Sequence, residues 1–258
     1  MALFAKLHGP ANNGQMPSKQ AFVVVGPESS GTRLLTRCLV AAGCHGDAGH
    51  EQAFDENPGQ LAGKDRVVWR RSAPHGFGKT RKIRDLEVEL LQPLRAHGFQ
   101  DVRVFATIRN HYCMIRSQVI VPHVRSIREA EQNVPDAMKS ITDFVTKWSL
   151  PTRFVTYEEL VHRSESFRRT FAAWGLDASK LPAFTDRNER FLAENISDED
   201  YEAMGRVTWE LRHPEPDLPP LSLEQVSRRS GLPLSEVERH IQKLSAWAGP
   251  NRKLAVRM

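Results

Sequence analysis

Hydrophobic and polar positions along this chain switch repeatedly between two periods. Ala21, Phe22, Val23, Val24 and Val25 form a continuous apolar run rich in β-branched residues, the pattern of a strand buried on both faces of a parallel sheet. After a loop, Leu34, Leu35, Cys38, Leu39 and Ala42 recur at helical spacing up to Gly43, a residue suited to end a helix. The alternation then repeats. Val67, Val68 and Trp69 read as a short strand, and residues 80–97 as a helix with Ile83, Leu86, Leu90 and Leu94 on one face, closed by Gly98. Residues 103–108 form a third strand, followed by a short helix carrying Ile115 and Val119. Met138, Ile141, Val145 and Trp148 mark an amphipathic helix over residues 136–150 that Pro151 stops, and residues 153–156 begin a fourth strand. Ser164 is placed to cap a helix that buries Phe167, Phe171 and Trp174 before Gly175. Strands separated by helical patterns predict βαβ units, hence an α/β domain with a mostly parallel central sheet over residues 20–212.

The tail follows a different pattern. Ser197, Asp198, Glu199 and Asp200 form a capping signal for a helix through Leu211, and residues 213–220 are a proline-rich linker. Two short helical patterns follow, residues 223–229 and 235–244, joined by Ser230-Gly231-Leu232-Pro233. With Val226, Leu232, Leu234, Val237 and Ile241 as core positions and a capping box from Ser235 to Glu238, residues 223–241 resemble a helix-turn-helix. Residues 213–258 thus read as the linker followed by a helix-turn-helix-like hairpin. Its second helix begins Ser-Glu-Val-Glu, and acidic residues there repel phosphates. The hairpin is therefore expected to pack on the main domain or on another subunit rather than on nucleic acid.

Composition narrows the class. No run of about 18 apolar residues occurs, so no membrane span is expected. Cys38, Cys44 and Cys113 are too few and too irregular for a disulfide framework, which fits a reducing, cytoplasmic setting. Cys44, His45 and His50 lack metal-ligand spacing, and no metal is expected. A net charge of +5 and a pI near 9.3 point to an anionic partner, and arginine, which suits bidentate phosphate contacts, supplies much of the charge.

The segment Gly26-Pro27-Glu28-Ser29-Ser30-Gly31-Thr32-Arg33 lies between the first strand and the first helix. Backbone N–H groups in such a loop, together with the helix dipole, form a site for phosphate or sulfate. Gly26 and Gly31 allow close backbone approach, Ser29, Ser30 and Thr32 add hydroxyls, and Arg33 adds a charge. The loop resembles a Walker A motif but has Thr32 in place of the lysine and Arg33 in place of Ser/Thr, which argues against an ordinary ATPase. A second stretch, Ala73 to Thr80, ends in Gly-Lys-Thr but carries alanine at the first glycine position. The expected fold is a P-loop-like three-layer domain with the small C-terminal helical hairpin appended.

Four segments, in order, resemble the sulfotransferases that use 3′-phosphoadenosine-5′-phosphosulfate. Ser30-Gly31-Thr32 matches the core of their 5′-phosphosulfate loop. Arg109, at the end of the third strand, and Ser117, eight residues on, match the arginine and serine that bind the 3′-phosphate. The stretch Arg153-Phe-Val-Thr-Tyr-Glu-Glu-Leu160 matches a strand followed by Tyr-Glu-(Asp/Glu)-Leu, and residues 188–209 resemble the family's C-terminal basic loop and helix. The resemblance implies transfer of a sulfuryl group to an acceptor hydroxyl, with carbohydrate and glycolipid among the candidate acceptors. Gly26, Ser29, Ser30, Gly31, Thr32 and Arg33 would hold the phosphosulfate, and Arg109 and Ser117 the 3′-phosphate.

One departure matters: Ser29 stands where the family carries a Lys or Arg. Arg33, or Arg70 or Arg71 at the end of the second strand, would replace it. The family's catalytic histidine falls at Ser72, which makes His75 the candidate base and leaves His50 with Glu51 as a second loop pair. Two rivals stay open. A nucleotide-dependent kinase predicts Mg-ATP dependence, and a non-catalytic regulator predicts nucleotide binding without turnover.

Overall fold

In the computed structural model, which describes residues 19–51, 53–73, 85–121, 123–212 and 221–248, the apolar runs form one parallel sheet. Its strands are β1 (Gln20–Pro27), β2 (Arg66–Ala73), β3 (Asp101–Ile108) and β4 (Thr152–Thr156), in the spatial order β2-β1-β3-β4. Val23 of β1 pairs with Trp69 on one side and Val104 on the other. The helices of the described residues are α1 (Thr32–Ala41), α2 (Ala53–Glu56), α3 (Gln92–Ala96), α4 (His111–Ile120), α5 (Ile127–Lys147), α6 (Tyr157–His162), α7 (Glu165–Ala173), α8 (Glu189–Leu192), α9 (Asp198–Arg212), α10 (Leu223–Ser230) and α11 (Leu234–Ala248).

Side chains alternate across a strand, and β1 sends its apolar residues to both faces. Ala21, Val23 and Val25 pack with Val67, Trp69, Val102, Val104 and Ala106 against Leu90, Leu94, Ile141 and Phe144 from α3, α5 and the turn before α3. Phe22 and Val24 pack with Val68, Phe105 and Val155 against Leu35 and Leu39 of α1 and Phe167 and Phe171 of α7. Helices on both faces of a parallel sheet explain the unbroken apolar run. Helix and sheet together make an α/β domain compatible with three layers. No described helix is long and apolar enough to cross a membrane.

A third core lies beyond the sheet. It joins Ile115 and Val119 of α4, Ile127 of α5, Phe191 of α8, and Tyr201, Met204 and Val207 of α9 to Val226, Val237 and Leu244 of the hairpin. This core explains two departures from the sequence pattern. α5 starts at Ile127, capped by the Ser126 hydroxyl, and runs through Pro135 instead of starting after it. Its first turns bury Ile127 and Ala130 in the third core, and its last turns bury Ile141 and Phe144 under the sheet, so burial at both ends outweighs the bond that proline lacks. In the hairpin, the capping box forms at Ser222 and Gln225 rather than at Ser235 and Glu238. α11 begins at Leu234, which leaves Ser235 inside its first turn and Leu234 exposed.

β2 is longer than its apolar residues indicate. It continues through Arg70, Arg71 and Ser72 to Ala73, all buried, because carboxylates from the preceding and following segments fold over it. Of the helix expected over residues 80–97, the described part runs from Leu86 through a π-helical turn, Glu87–Leu91, into α3. Residues 80–84 lie outside the described residues.

Candidate anion-binding site at the ends of β1 and β3

The chain leaves β1 for β2 on one side and returns to β3 on the other. In open α/β sheets the crevice at the carboxyl ends of strands, where the order reverses, is the usual ligand site. The loop between β1 and α1 occupies that point. Gly26 abuts β3 so closely that a Cβ would lie 2.2 Å from Thr107 Oγ1 and 2.4 Å from Ser30 Oγ. Those two hydroxyls are themselves hydrogen bonded at 2.6 Å, and Ser30 is fully buried. Ser29 adopts a left-handed backbone (φ 66°) and Gly31, the residue before α1, another (φ 107°). Left-handed backbone at a non-glycine residue is strained and is held only where its surroundings over-determine it. α1 carries no acidic residue in its first turn and no side-chain cap at Gly31, so its N-terminal donors are left for another acceptor.

Arg109 pins this loop to β3. Its Nη1 donates to the Ser29 carbonyl at 3.1 Å and its Nε to Asn188 Oδ1 at 2.7 Å, while its guanidinium lies 4.3 Å from the Tyr157 ring and 5.5 Å from the Phe191 ring. The residue is 9% exposed, and Nη2 is buried with no partner. Asn188 is oriented in turn by Glu158, whose Oε1 accepts from Asn188 Nδ2 at 2.6 Å and from the Asn110 N–H at 3.0 Å. The Tyr157 hydroxyl accepts from the Arg187 N–H at 2.7 Å.

Burial pulls the Arg109 guanidinium below the ordinary arginine range, opposed by nearby Tyr157, Cys113, Glu158 and Asp186. Arg190 is pulled down to about 10, by burial first and then by Arg187 and Arg109, and its Nε is also buried without a partner. A desolvated cluster of like charges with unpaired donors is chemically suited to an anion.

The second strand approaches the same loop from the other side. Thr32 Oγ1 and Ser72 Oγ are 3.1 Å apart, and Glu51 accepts from the Ser72 N–H at 2.5 Å. Arg70, 5% exposed, is paired with Glu51 at 2.8 Å. Burial lowers the Arg70 pKa, Glu51 opposes that shift, and Arg33 adds to it, which places Arg33 in the same neighbourhood. Arg33 itself is exposed at the start of α1. Glu28, the loop's own carboxylate, is buried 3.6 Å from His123 Nε2.

No family model matches the chain, and no curated protein matches its sequence. Geometry therefore has to sort the residues proposed from sequence. Gly26, Ser29, Ser30, Gly31 and Thr32 form one loop tied to Arg109 on one side and Ser72 on the other, and Arg33 and Arg70 flank it. Ser117 is buried in α4, and no hydrogen bond joins its side chain to Arg109 or to the loop among the described residues. His75 lies outside the described residues. Asn188, Arg190 and Thr107 are site residues that motif spacing did not single out; for the first two, the cluster Arg187-Asn188-Glu189-Arg190 was the available signal. Among the described residues, no three metal-ligating side chains converge.

Proposed function

We propose that the chain is a P-loop-like sulfotransferase that uses 3′-phosphoadenosine-5′-phosphosulfate and moves its sulfuryl group to an acceptor hydroxyl. The observation that carries the proposal is Arg109: a buried arginine at the switch point, bonded to the β1–α1 loop and retaining an unpartnered Nη2. The loop residues 26–33 and the α1 N-terminus would hold the 5′-phosphosulfate, and Arg109 with Arg190 the 3′-phosphate, with Ser117 kept in the assignment by its spacing alone. When bound, the donor supplies an activated sulfuryl group, whose S–O bond to phosphate breaks as the acceptor oxygen bonds to sulfur.

The chain's own part is to position these groups and to neutralise charge. Arg33, near Arg70 and on the first turn of α1, is the cation nearest in role to the family's loop lysine at Ser29. Arg70 is committed to Glu51, which makes it a positioning residue for that carboxylate. The acceptor hydroxyl must lose its proton. Two bases are proposed: His75, and Glu51, which is hydrogen bonded to Ser72 where the family carries its histidine. Comparing Glu51→Gln with His75→Ala in a transfer assay assigns the role to whichever loses turnover while still binding nucleotide.

The test titrates the protein with adenosine 3′,5′-bisphosphate and, separately, with Mg-ATP. Expected is selective micromolar binding of the bisphosphate, weakened about 10- to 100-fold in Arg109→Ala, the range for removing hydrogen bonds to a charged group. Preference for Mg-ATP would overturn the proposal in favour of a kinase. Binding without any turnover on an acceptor screen would favour a nucleotide-sensing regulator.

A further inference from the structure

Arg109 is held by a segment that is too short to hold itself. Asn188 and Phe191, two of its four contacts, lie beside and within α8, a single turn of four residues. α9 presses on that turn from one side, with the Tyr201 ring 6.2 Å from Phe191. α11, the last helix of the described residues, presses from another. Trp247 of α11 meets Phe191 edge-on at 5.9 Å and lies 5.7 Å from the Arg190 guanidinium, and Lys243, one turn earlier, pairs with Glu194 at 2.5 Å.

The hairpin has its own anchorage on α9. Val226 and Val237 are fully buried, and Arg229 pairs with Glu210 at 2.8 Å and Arg239 with Asp200 at 3.0 Å. Three of its cations thus meet carboxylates of the neighbouring helices and of the turn after α8. On the exposed side of α11, Ser235, Glu238, Arg239, Gln242 and Ser245 carry no excess of positive charge. That side lacks the basic surface that nucleic acid requires, so the hairpin's contacts turn inward, towards α8 and α9.

We infer that the C-terminal hairpin is a positioning device for the anion site, with Trp247 as its wedge: it holds α8 so that Asn188 and Phe191 keep Arg109 in place with Nη2 unpaired. This role presupposes the phosphosulfate function proposed above. Because the ligand site and hairpin docking share α8, each strengthens the other by the same factor. A bound anion tightens the hairpin, and a loosened hairpin costs affinity.

The experiment titrates adenosine 3′,5′-bisphosphate into the full chain carrying Trp247→Ala, Trp247→Phe, Arg109→Ala, or both alanines. Trp247→Ala is expected to weaken binding about tenfold, within the usual range for coupled sites, and Trp247→Phe to restore most of it. In the Arg109→Ala background the Trp247→Ala loss is expected to shrink to the part carried by its contact with Arg190, since contacts acting through one group are not additive. Hydrogen exchange of α11 amides should slow when wild type is saturated. If Trp247→Ala does not fold, Lys243→Ala, which removes the pair with Glu194 and the ammonium's contact with the Trp247 ring, is expected to weaken binding about threefold with the same dependence on Arg109. Wild-type affinity in the folded variant, or an equal loss in both backgrounds, overturns the positioning role while leaving the sulfotransferase proposal standing. Failure of wild type to bind the bisphosphate overturns both.

Discussion

The carboxyl ends of β2 and β3 each bury an arginine, and the two are wired in opposite ways. Arg71 is fully buried, yet Nε donates to Glu89 at 3.0 Å, Nη2 to Asp55, and Nη1 to the carbonyls of Glu51 (2.5 Å) and Arg70 (3.1 Å). Two carboxylates balance its charge. Arg109 is nearly as buried, but among the described residues no carboxylate lies within ion-pair distance, Glu158 reaches it only through Asn188, and Nη2 has no partner. A buried charge is tolerated when it is paired and hydrogen bonded. Arg71 meets that condition within the chain and serves as framework. Arg109 meets it in part, and its unpaired Nη2 is where the proposed anion would complete the set.

The contrast can be broken most directly at Arg71. Arg71→Met leaves Asp55 and Glu89 facing an apolar side chain and should destabilise the fold by about 3–5 kcal/mol, read from urea unfolding. Arg109→Ala removes a cation that burial already penalises but takes a donor from the Ser29 carbonyl and from Asn188 Oδ1. Its stability cost should be smaller, about 1–2 kcal/mol in the same measurement, although its effect on anion affinity is large. Equal destabilisation by the two variants would remove the distinction between framework and site.

Gly26→Ala sharpens the β3 side. The added Cβ meets Thr107 Oγ1 at 2.2 Å and the Thr107 carbonyl at 2.8 Å. Overpacking of this kind should cost roughly 1–3 kcal/mol and displace the loop from Arg109, lowering anion affinity as well as the unfolding midpoint. A Gly26→Ala protein with unchanged affinity would show that loop and arginine act separately.

The smallest effect concerns the hairpin that supports the β3 side. His240 is buried, with burial holding its imidazole below the ordinary value of about 6.5; Arg239 and Arg206 push the same way, and Asp200 and Glu236 oppose them. As pH falls, the unfolded chain takes up this proton first. Stability is therefore full above about pH 6.5 and declines as pH drops through the depressed folded-state value. Thermal unfolding followed across that window should show a slope that His240→Gln flattens.

Much of the fold was written in local patterns. The apolar run at β1, the helical spacings of α1 and α7, the Ser164 cap and the order of strands and helices all follow from residues close together in the chain. So does the loop from Gly26 to Arg33, because a strand, a glycine-bearing turn and a helix announce themselves within about 20 residues. Arg109 was legible only through the family resemblance that pairs it with Ser117, and among the described residues the fold joins it to the loop and not to Ser117. Tertiary structure decided the rest. Arg70 and Arg71 read as the polar end of a strand, and they lie inside it only because Glu51, Asp55 and Glu89 arrive from segments 16 to 20 residues away. The helical pattern reads only from residue 136, and α5 begins nine residues earlier and passes through Pro135 because two separate cores hold its two ends. Asn188 reaches Arg109 across 79 residues of sequence, and Trp247 reaches Phe191 from the last helix of the described chain. Periodicity depends on neighbours and can be read along the chain; satisfaction of a buried charge depends on groups that meet only when the chain has folded.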